Sequence, residues 1–160
     1  MTSTKENILE AKKPSLYIAS SWRNVIQPGV VATFRSLGFD VYDFKNPPNR
    51  TGFSWREVDP DWKGWTTEAY IKALESPAAK QGYESDWNAM VAADGCVLVL
   101  PCGRSAHIEA GYFVGAKKTL HIYIPEQQEP ELMYKMATSI SSTYDHLISV
   151  VCKEYGVTCG

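Results

Sequence analysis

The run Gly95-Cys-Val-Leu-Val-Leu100 constrains this chain more than any other stretch. It is apolar without polar alternation, so both of its faces have to be covered. That is the situation of a central strand in a parallel sheet with helices on either side. The flanking residues agree: 84–93 has a helical pattern before the run, and 106–116 has another after the polar loop Pro101–Ser105. A second apolar run, Ser15–Ala19, leads through Ser20, Ser21 and Asn24 into a helix pattern over Pro28–Leu37. Val30, Val31, Phe34 and Leu37 lie on one face of it, and Gly38 suits its end. Phe39–Phe44 follows as a strand, which completes a β-α-β unit with a right-handed crossover.

Further along, 67–75 is expected to be helical, and Pro77 and Gly82 interrupt the pattern before 84–93. Thr119–Ile124 reads as a strand, 132–136 as helical, Ser139–Ser141 as a weak strand and 142–155 as a closing helix. Strands alternating with helices predict an α/β fold, a doubly wound Rossmann-like or flavodoxin-like sheet of five parallel strands. Residues 15–160 form one domain on this reading, after a polar, flexible segment over 1–14. Residues 45–66 stand out as a loop too long for a compact domain unless it binds or covers something. It holds Trp55, Trp62 and Trp65, three of the five tryptophans, beside Phe53. Either the aromatics pack the loop down, or they form a wall for a flat ligand.

Charge narrows the function classes. With 16 basic and 18 acidic residues the net charge is −2, unlike a protein that tracks nucleic-acid phosphates, so no polymeric nucleic acid is expected as partner. No apolar run approaches the ~18 residues of a membrane span, and 1–14 lacks the apolar stretch of a secretory signal. A cytoplasmic protein with reduced thiols at Cys96, Cys102, Cys152 and Cys159 is the expectation. His107, His121 and His146 are scattered and no Cys-x-x-Cys occurs, so no metal site is expected.

Ligands of open α/β sheets bind beyond the carboxyl ends of the strands, near the point where the winding reverses. This directs attention to Ser20–Asn24, to Asp43 and its successors, and to Pro101–Ser105. No G-x-G-x-x-G, G-x-x-x-x-G-K-S/T or G-x-S-x-G is present, which disfavours dinucleotide, Walker-type and esterase chemistry. Two carboxylates remain. Glu109 is placed in the first turn of the helix after the central strand, where the helix N-terminus would keep it ionised and the small Ala106, Ala110 and Gly111 leave room beside it. Asp86 begins a helical stripe with Met90 and Ala93. Two opposed carboxyls are what glycosyl transfer requires. Asp94, before Gly95, reads as a turn residue.

These residues resemble the nucleoside 2-deoxyribosyltransferase superfamily, whose pattern is a Tyr in the first strand, an Asp on the helix before the central strand and a Glu-x-Gly at the start of the next. Here those are Tyr17, Asp86 and Glu109 within Ser105-Ala-His-Ile-Glu-Ala-Gly111, and the likeness covers about 15–125 apart from the insertion. Tyr17-Ile-Ala-Ser-Ser21-Trp-Arg23 resembles the branch that acts as nucleoside 5′-monophosphate N-glycosidases, where a Ser and an Arg hold the phosphate. That branch carries a serine six residues before the Glu, and Gly103 stands there instead, with Arg104 and Ser105 adjacent.

The resemblance implies that Glu109 attacks the anomeric carbon, Tyr17 orients it and Asp86 protonates the departing base. Ser20, Ser21, Arg23, Gly103, Arg104 and Ser105 would surround the sugar or phosphate, and Asp43, Phe53 and Trp55 the base. It implies no metal or organic cofactor, a small nucleoside or nucleotide as ligand, and a homodimer or higher oligomer. Glu109 alone also suits an NAD-cleaving domain of the Toll/interleukin-receptor type, and a binding module without turnover is the non-enzymatic alternative.

Overall fold

The structure, a computed structural model, describes residues 11–160; the expectation for the segment 1–14 falls largely outside them. Five strands form one parallel sheet: β1 (Ser15–Ala19), β2 (Asp40–Tyr42), β3 (Gly95–Val99), β4 (Thr119–Tyr123) and β5 (Ser139–Ser141). Their order is β2-β1-β3-β4-β5, with Leu16 opposite both Val41 and Gly95. The helices are α1 (Gln27–Ser36), α2 (Thr67–Ala73), α3 (Pro77–Ala92), α4 (Arg104–Gly115) and α5 (Tyr144–Tyr155). The expected doubly wound sheet is what forms, and the winding reverses between β1 and β3.

The unalternating apolar strands are explained by two cores, one on each sheet face. Leu16, Ile18, Val97 and Val99 meet Val30, Val31 and Phe34 of α1 and Leu147 and Val151 of α5. Tyr17, Ala19, Cys96 and Leu98 turn the other way, against Met90 of α3 and Ala106, Ala110 and Phe113 of α4. Successive side chains of a strand point to opposite faces, so Tyr17 is committed to the α3–α4 side. Asp94 does act as a turn residue: its Oδ2 accepts from the Ser15 amide at 2.8 Å and so fixes the start of β1.

Several local expectations are corrected. Strand β2 is only Asp40–Tyr42, so Asp43 and Phe44 already belong to the connection. Pro77 and Gly82 do not break a helix. Pro77 occupies the first turn of α3, where it costs no hydrogen bond, and Ser76 caps that turn by accepting from the Ala79 amide. Gly82 lies inside the helix, where the close packing of Phe53 favours glycine: a Cβ there would sit 2.9 Å from the Phe53 side chain. Asp86 is therefore in mid-helix rather than at a helix start. Gly103 takes the extended N-cap conformation and α4 begins at Arg104, which puts Glu109 in the second turn rather than the first.

The 45–66 connection is not structureless. It contains two single 3-10 turns, Trp55–Glu57 and Trp62–Gly64. Ser54 and Glu57 form a reciprocal capping box on the first. Reduced thiols at the C-terminus are also corrected: Cys152 and Cys159 form a disulfide. Gly156, in the left-handed conformation at φ 64°, ends α5 and turns the chain back. That leaves the two Cα atoms 6.2 Å apart, within disulfide reach. Cys96 and Cys102 remain free thiols.

Candidate active site

Four side chains from four elements converge beside the winding reversal. Tyr17 comes from β1, Tyr42 from the last residue of β2, Asp86 from α3 and Glu109 from α4. The Tyr17 and Tyr42 rings are stacked, with centroids 5.4 Å apart and planes 16° from parallel. The Tyr42 hydroxyl donates to Asp86 Oδ1 at 2.8 Å and lies 2.9 Å from Ser85 Oγ. The Tyr17 hydroxyl is buried without a hydrogen-bond partner. The three residues singled out in the sequence are thus brought together. Tyr42 and Ser85 were missed, although a Tyr at the carboxyl end of a strand beside the reversal is a legible signal.

Burial dominates the electrostatics. It pushes the Glu109 carboxyl up to about 8, helped by the charge of Asp86 and partly opposed by the Tyr17 phenol. The expectation of an ionised Glu109 is corrected accordingly: the free protein holds this carboxyl largely protonated at neutral pH. In the second turn of α4, burial outweighs what the helix N-terminus offers. Asp86 is also raised by burial, while the Tyr42 hydroxyl and the Arg50 guanidinium pull it back. The charge of Asp86 thus helps Glu109 to keep its proton in the neutral range. Burial, then the charges of Glu109 and Asp86, raise the Tyr17 phenol far out of the physiological range, so it acts as a neutral donor. Cys102 is pushed up to about 12 by burial and by Glu109, which removes it as a nucleophile at neutral pH.

The surrounding loops divide into framework and open groups. Ser20 Oγ donates to the Val99 carbonyl at 2.7 Å. The Asn24 amide donates to the Pro101 carbonyl at 3.1 Å, while its Oδ1 accepts from the Ile26 and Gln27 amides. These bonds fasten the loop after β1 to the end of β3. Asp43 is similarly engaged. Burial would raise its carboxyl, but bonds from the Asn46 and Gln27 side chains and the Lys45 amide hold it below the ordinary range. Ser21 Oγ accepts from the Arg23 amide at 3.2 Å. Arg23 itself is exposed and has no ion pair among the described residues.

Of the expected base-binding aromatics, Phe53 is the one seated against α3. It packs on Gly82, one helical turn before Asp86 on the same side of α3. Trp55 stands edge-on to Phe53, Trp65 and Tyr70, so it braces Phe53 from behind. Gly103 and Arg104 line a different space, a cavity of about 600 Å³ on the far side of α4 with Cys102, His107 and Tyr134; Ser105 is exposed at the same helix start. No cluster of His, Cys, Asp and Glu able to hold a metal occurs among the described residues, and none of their helices is long and apolar enough to cross a membrane.

No model of a protein family matches the chain, and no curated protein matches it. Among solved structures, it is similar to a 2-deoxyribosyltransferase from the psychrotolerant bacterium Bacillus psychrosaccharolyticus. The match has a TM-score of 0.53 at 15% identity and covers 83% of this chain and 89% of that one. The chain therefore has the α/β fold of that deoxyribosyltransferase, as the strand order and the resemblance of its motifs led one to expect.

Proposed function

We propose that this protein cleaves or transfers the N-glycosidic bond of a nucleoside or nucleoside 5′-monophosphate through a glycosyl ester on Glu109. The observation that carries the reading is the half-buried pair of Glu109 and Asp86, supplied by two helices and floored by the stacked Tyr17 and Tyr42. The fold neighbour, a 2-deoxyribosyltransferase, supports the same class of chemistry.

In the reactive arrangement Asp86 carries a proton and Glu109 is charged. The Glu109 carboxylate forms a bond to the anomeric carbon as the C–N bond breaks. The departing electron pair remains on the base nitrogen, which takes the proton of Asp86. Water then attacks the anomeric carbon, the bond from that carbon to the Glu109 oxygen breaks, Asp86 accepts the proton of the water and the Glu109 carboxylate is released; a second base in place of water gives transfer. Tyr17 donates to the Glu109 carboxylate and keeps it aimed. Tyr42 holds Asp86.

The loop after β1 supports a 5′-phosphate. Arg23 projects from a segment fastened at Ser20 and Asn24, and a guanidinium there is suited to bidentate phosphate contact. The test is release of free base from a panel of nucleosides, their 5′-monophosphates and NAD. The reading expects release from the nucleosides or monophosphates and none from NAD. Nicotinamide release from NAD alone, or no release from any of them, would overturn it.

A further inference from the structure

The loop after β1 is fastened at its ends, where Ser20 and Asn24 bond to the end of β3. Among the described residues the hydrogen bonds of its tip, Ser21-Trp22-Arg23, stay within the loop. The Arg23 amide donates to Ser21 Oγ at 3.2 Å, and the Asn24 amide to the Ser21 carbonyl at 3.0 Å. The tip meets the rest of the molecule through the Trp22 indole. It lies over Gly52 so closely that a Cβ there would collide with the ring, and it stands edge-on to Phe44 with centroids 5.4 Å apart. Lys45 Nζ closes the same junction by donating to the Asn24 carbonyl at 2.8 Å. Trp22 is 53% exposed and belongs to neither core, so core packing does not account for its seat.

Gly52 is followed by Phe53, which is seated on Gly82 of α3, one turn before Asp86. Two consecutive residues of the 45–66 connection thus tie the tip that bears Arg23 to the helix that bears Asp86. Neither Gly52 nor Gly82 has a positive φ. At both, the close approach of an aromatic ring disfavours a Cβ, and not the backbone conformation.

We propose that Trp22 is a positioning residue: seated on Gly52, it fixes the loop tip so that Arg23 stands at one distance from the carboxyl pair and meets the 5′-phosphate of a substrate held there. The inference rests on the glycosyl-transfer reading with a phosphate at Arg23. The phosphate and the anomeric carbon belong to one small molecule, so the group that holds the first has to be placed against the group that attacks the second. A displacement of about 1 Å in such an arrangement can cost on the order of a hundredfold in rate. A tip held only at its ends would have to be ordered when the ligand binds. The indole orders it beforehand, which lowers that cost.

The test is a double-mutant cycle of Trp22→Ala and Gly52→Ala, with Trp22→Phe beside it. The readout is the ratio of kcat/KM for a 2′-deoxynucleoside 5′-monophosphate to that for the free nucleoside. Trp22→Ala removes the indole, and Gly52→Ala pushes it off its seat from a residue outside the loop. Each is expected to lower the ratio roughly tenfold, chiefly through KM for the monophosphate. The double variant should be no worse than either single one, because the methyl group at 52 then has no ring to displace. Trp22→Phe keeps a ring at the seat and should hold the ratio within about threefold of wild type. Losses that fall equally on both substrates, additive losses in the double variant, or a wild type with no preference for the monophosphate would overturn the assignment. If the wild type releases no base from any substrate, the glycosyl-transfer reading fails. Calorimetric affinities for ribose 5-phosphate and ribose then test Trp22 by themselves. Tighter binding of the phosphate that weakens in both single variants supports the proposal, and equal affinities or no binding contradict it.

Discussion

The Tyr42 hydroxyl donates to Asp86 Oδ1 at 2.8 Å, which couples the end of the second strand to the carboxyl proposed to protonate the leaving base. The ring that carries this hydroxyl is stacked on Tyr17, so one side chain registers the acid against the floor of the site. Tyr42→Phe keeps the stack and removes the bond. It is expected to lower kcat on a natural nucleoside about tenfold or more, with little change in KM. A nitrophenyl glycoside, whose leaving group needs no proton, should be nearly spared. Equal losses on the two substrates would show that Tyr42 acts on something other than the acid.

The pH profile should depend on the leaving group. A natural nucleoside needs one proton on the pair, and the last proton leaves near pH 8. Activity on it is expected to fall above that pH. A nitrophenyl glycoside needs only ionised Glu109, so activity on it should rise through pH 8 to a plateau. The check is a pair of kcat/KM profiles between pH 5.5 and about 9.5. Parallel alkaline limbs would contradict the division of roles.

Glu109 should cost stability where it has to be charged. Its folded pKa, about 8, is above the ordinary 4.5, so between those values the unfolded chain has released the proton and the native one retains it. Stability attributable to this group is therefore lost as pH rises through that window. Glu109→Gln removes the penalty. Its melting temperature should exceed that of the wild type by an amount that grows from pH 4.5 to 8 and then levels off. In a domain of this size each kcal/mol moves Tm by about 2–4 °C. A constant or vanishing difference across the window would mean that Glu109 is not held protonated by burial.

The phosphate grip is tested at Arg23. Arg23→Ala should lower kcat/KM for a 5′-monophosphate roughly ten- to a hundredfold and leave the free nucleoside nearly unchanged. Equal effects, or a wild-type preference for the unphosphorylated substrate, would assign the chain to transfer on free nucleosides, in keeping with Gly103 in place of the serine.

The fold was legible where a physical constraint acts on many residues at once. Gly95–Val99 had to be covered on both faces, and it is the central strand. Ser15–Ala19 carries alternate residues into two different cores, which a continuous apolar run implies. Single contacts between distant residues were not legible. Gly82 looks like a helix breaker until Phe53 is placed on it, where the close approach leaves no room for a Cβ. Glu109, Asp86 and Tyr17 were accessible through their spacing and the resemblance it carries. The protonation of Glu109 was not, because burial by the sheet and the opposed Asp86 are tertiary effects. Trp22 passes for an ordinary loop aromatic in the sequence, and only its seat on Gly52 distinguishes it.

The central claim is that Glu109 carries the sugar. A nucleoside whose sugar bears fluorine at C2 slows hydrolysis of a glycosyl ester by destabilising its oxocarbenium-like transition state, so the ester should accumulate. Intact-mass and peptide mass spectrometry after incubation with such a substrate tests the claim directly. The account predicts a single added fluoroglycosyl group on the peptide containing Glu109, released base in equal amount, and neither in Glu109→Gln. Release of base in many turnovers with an adduct on another residue, or undiminished turnover by Glu109→Gln, would contradict it.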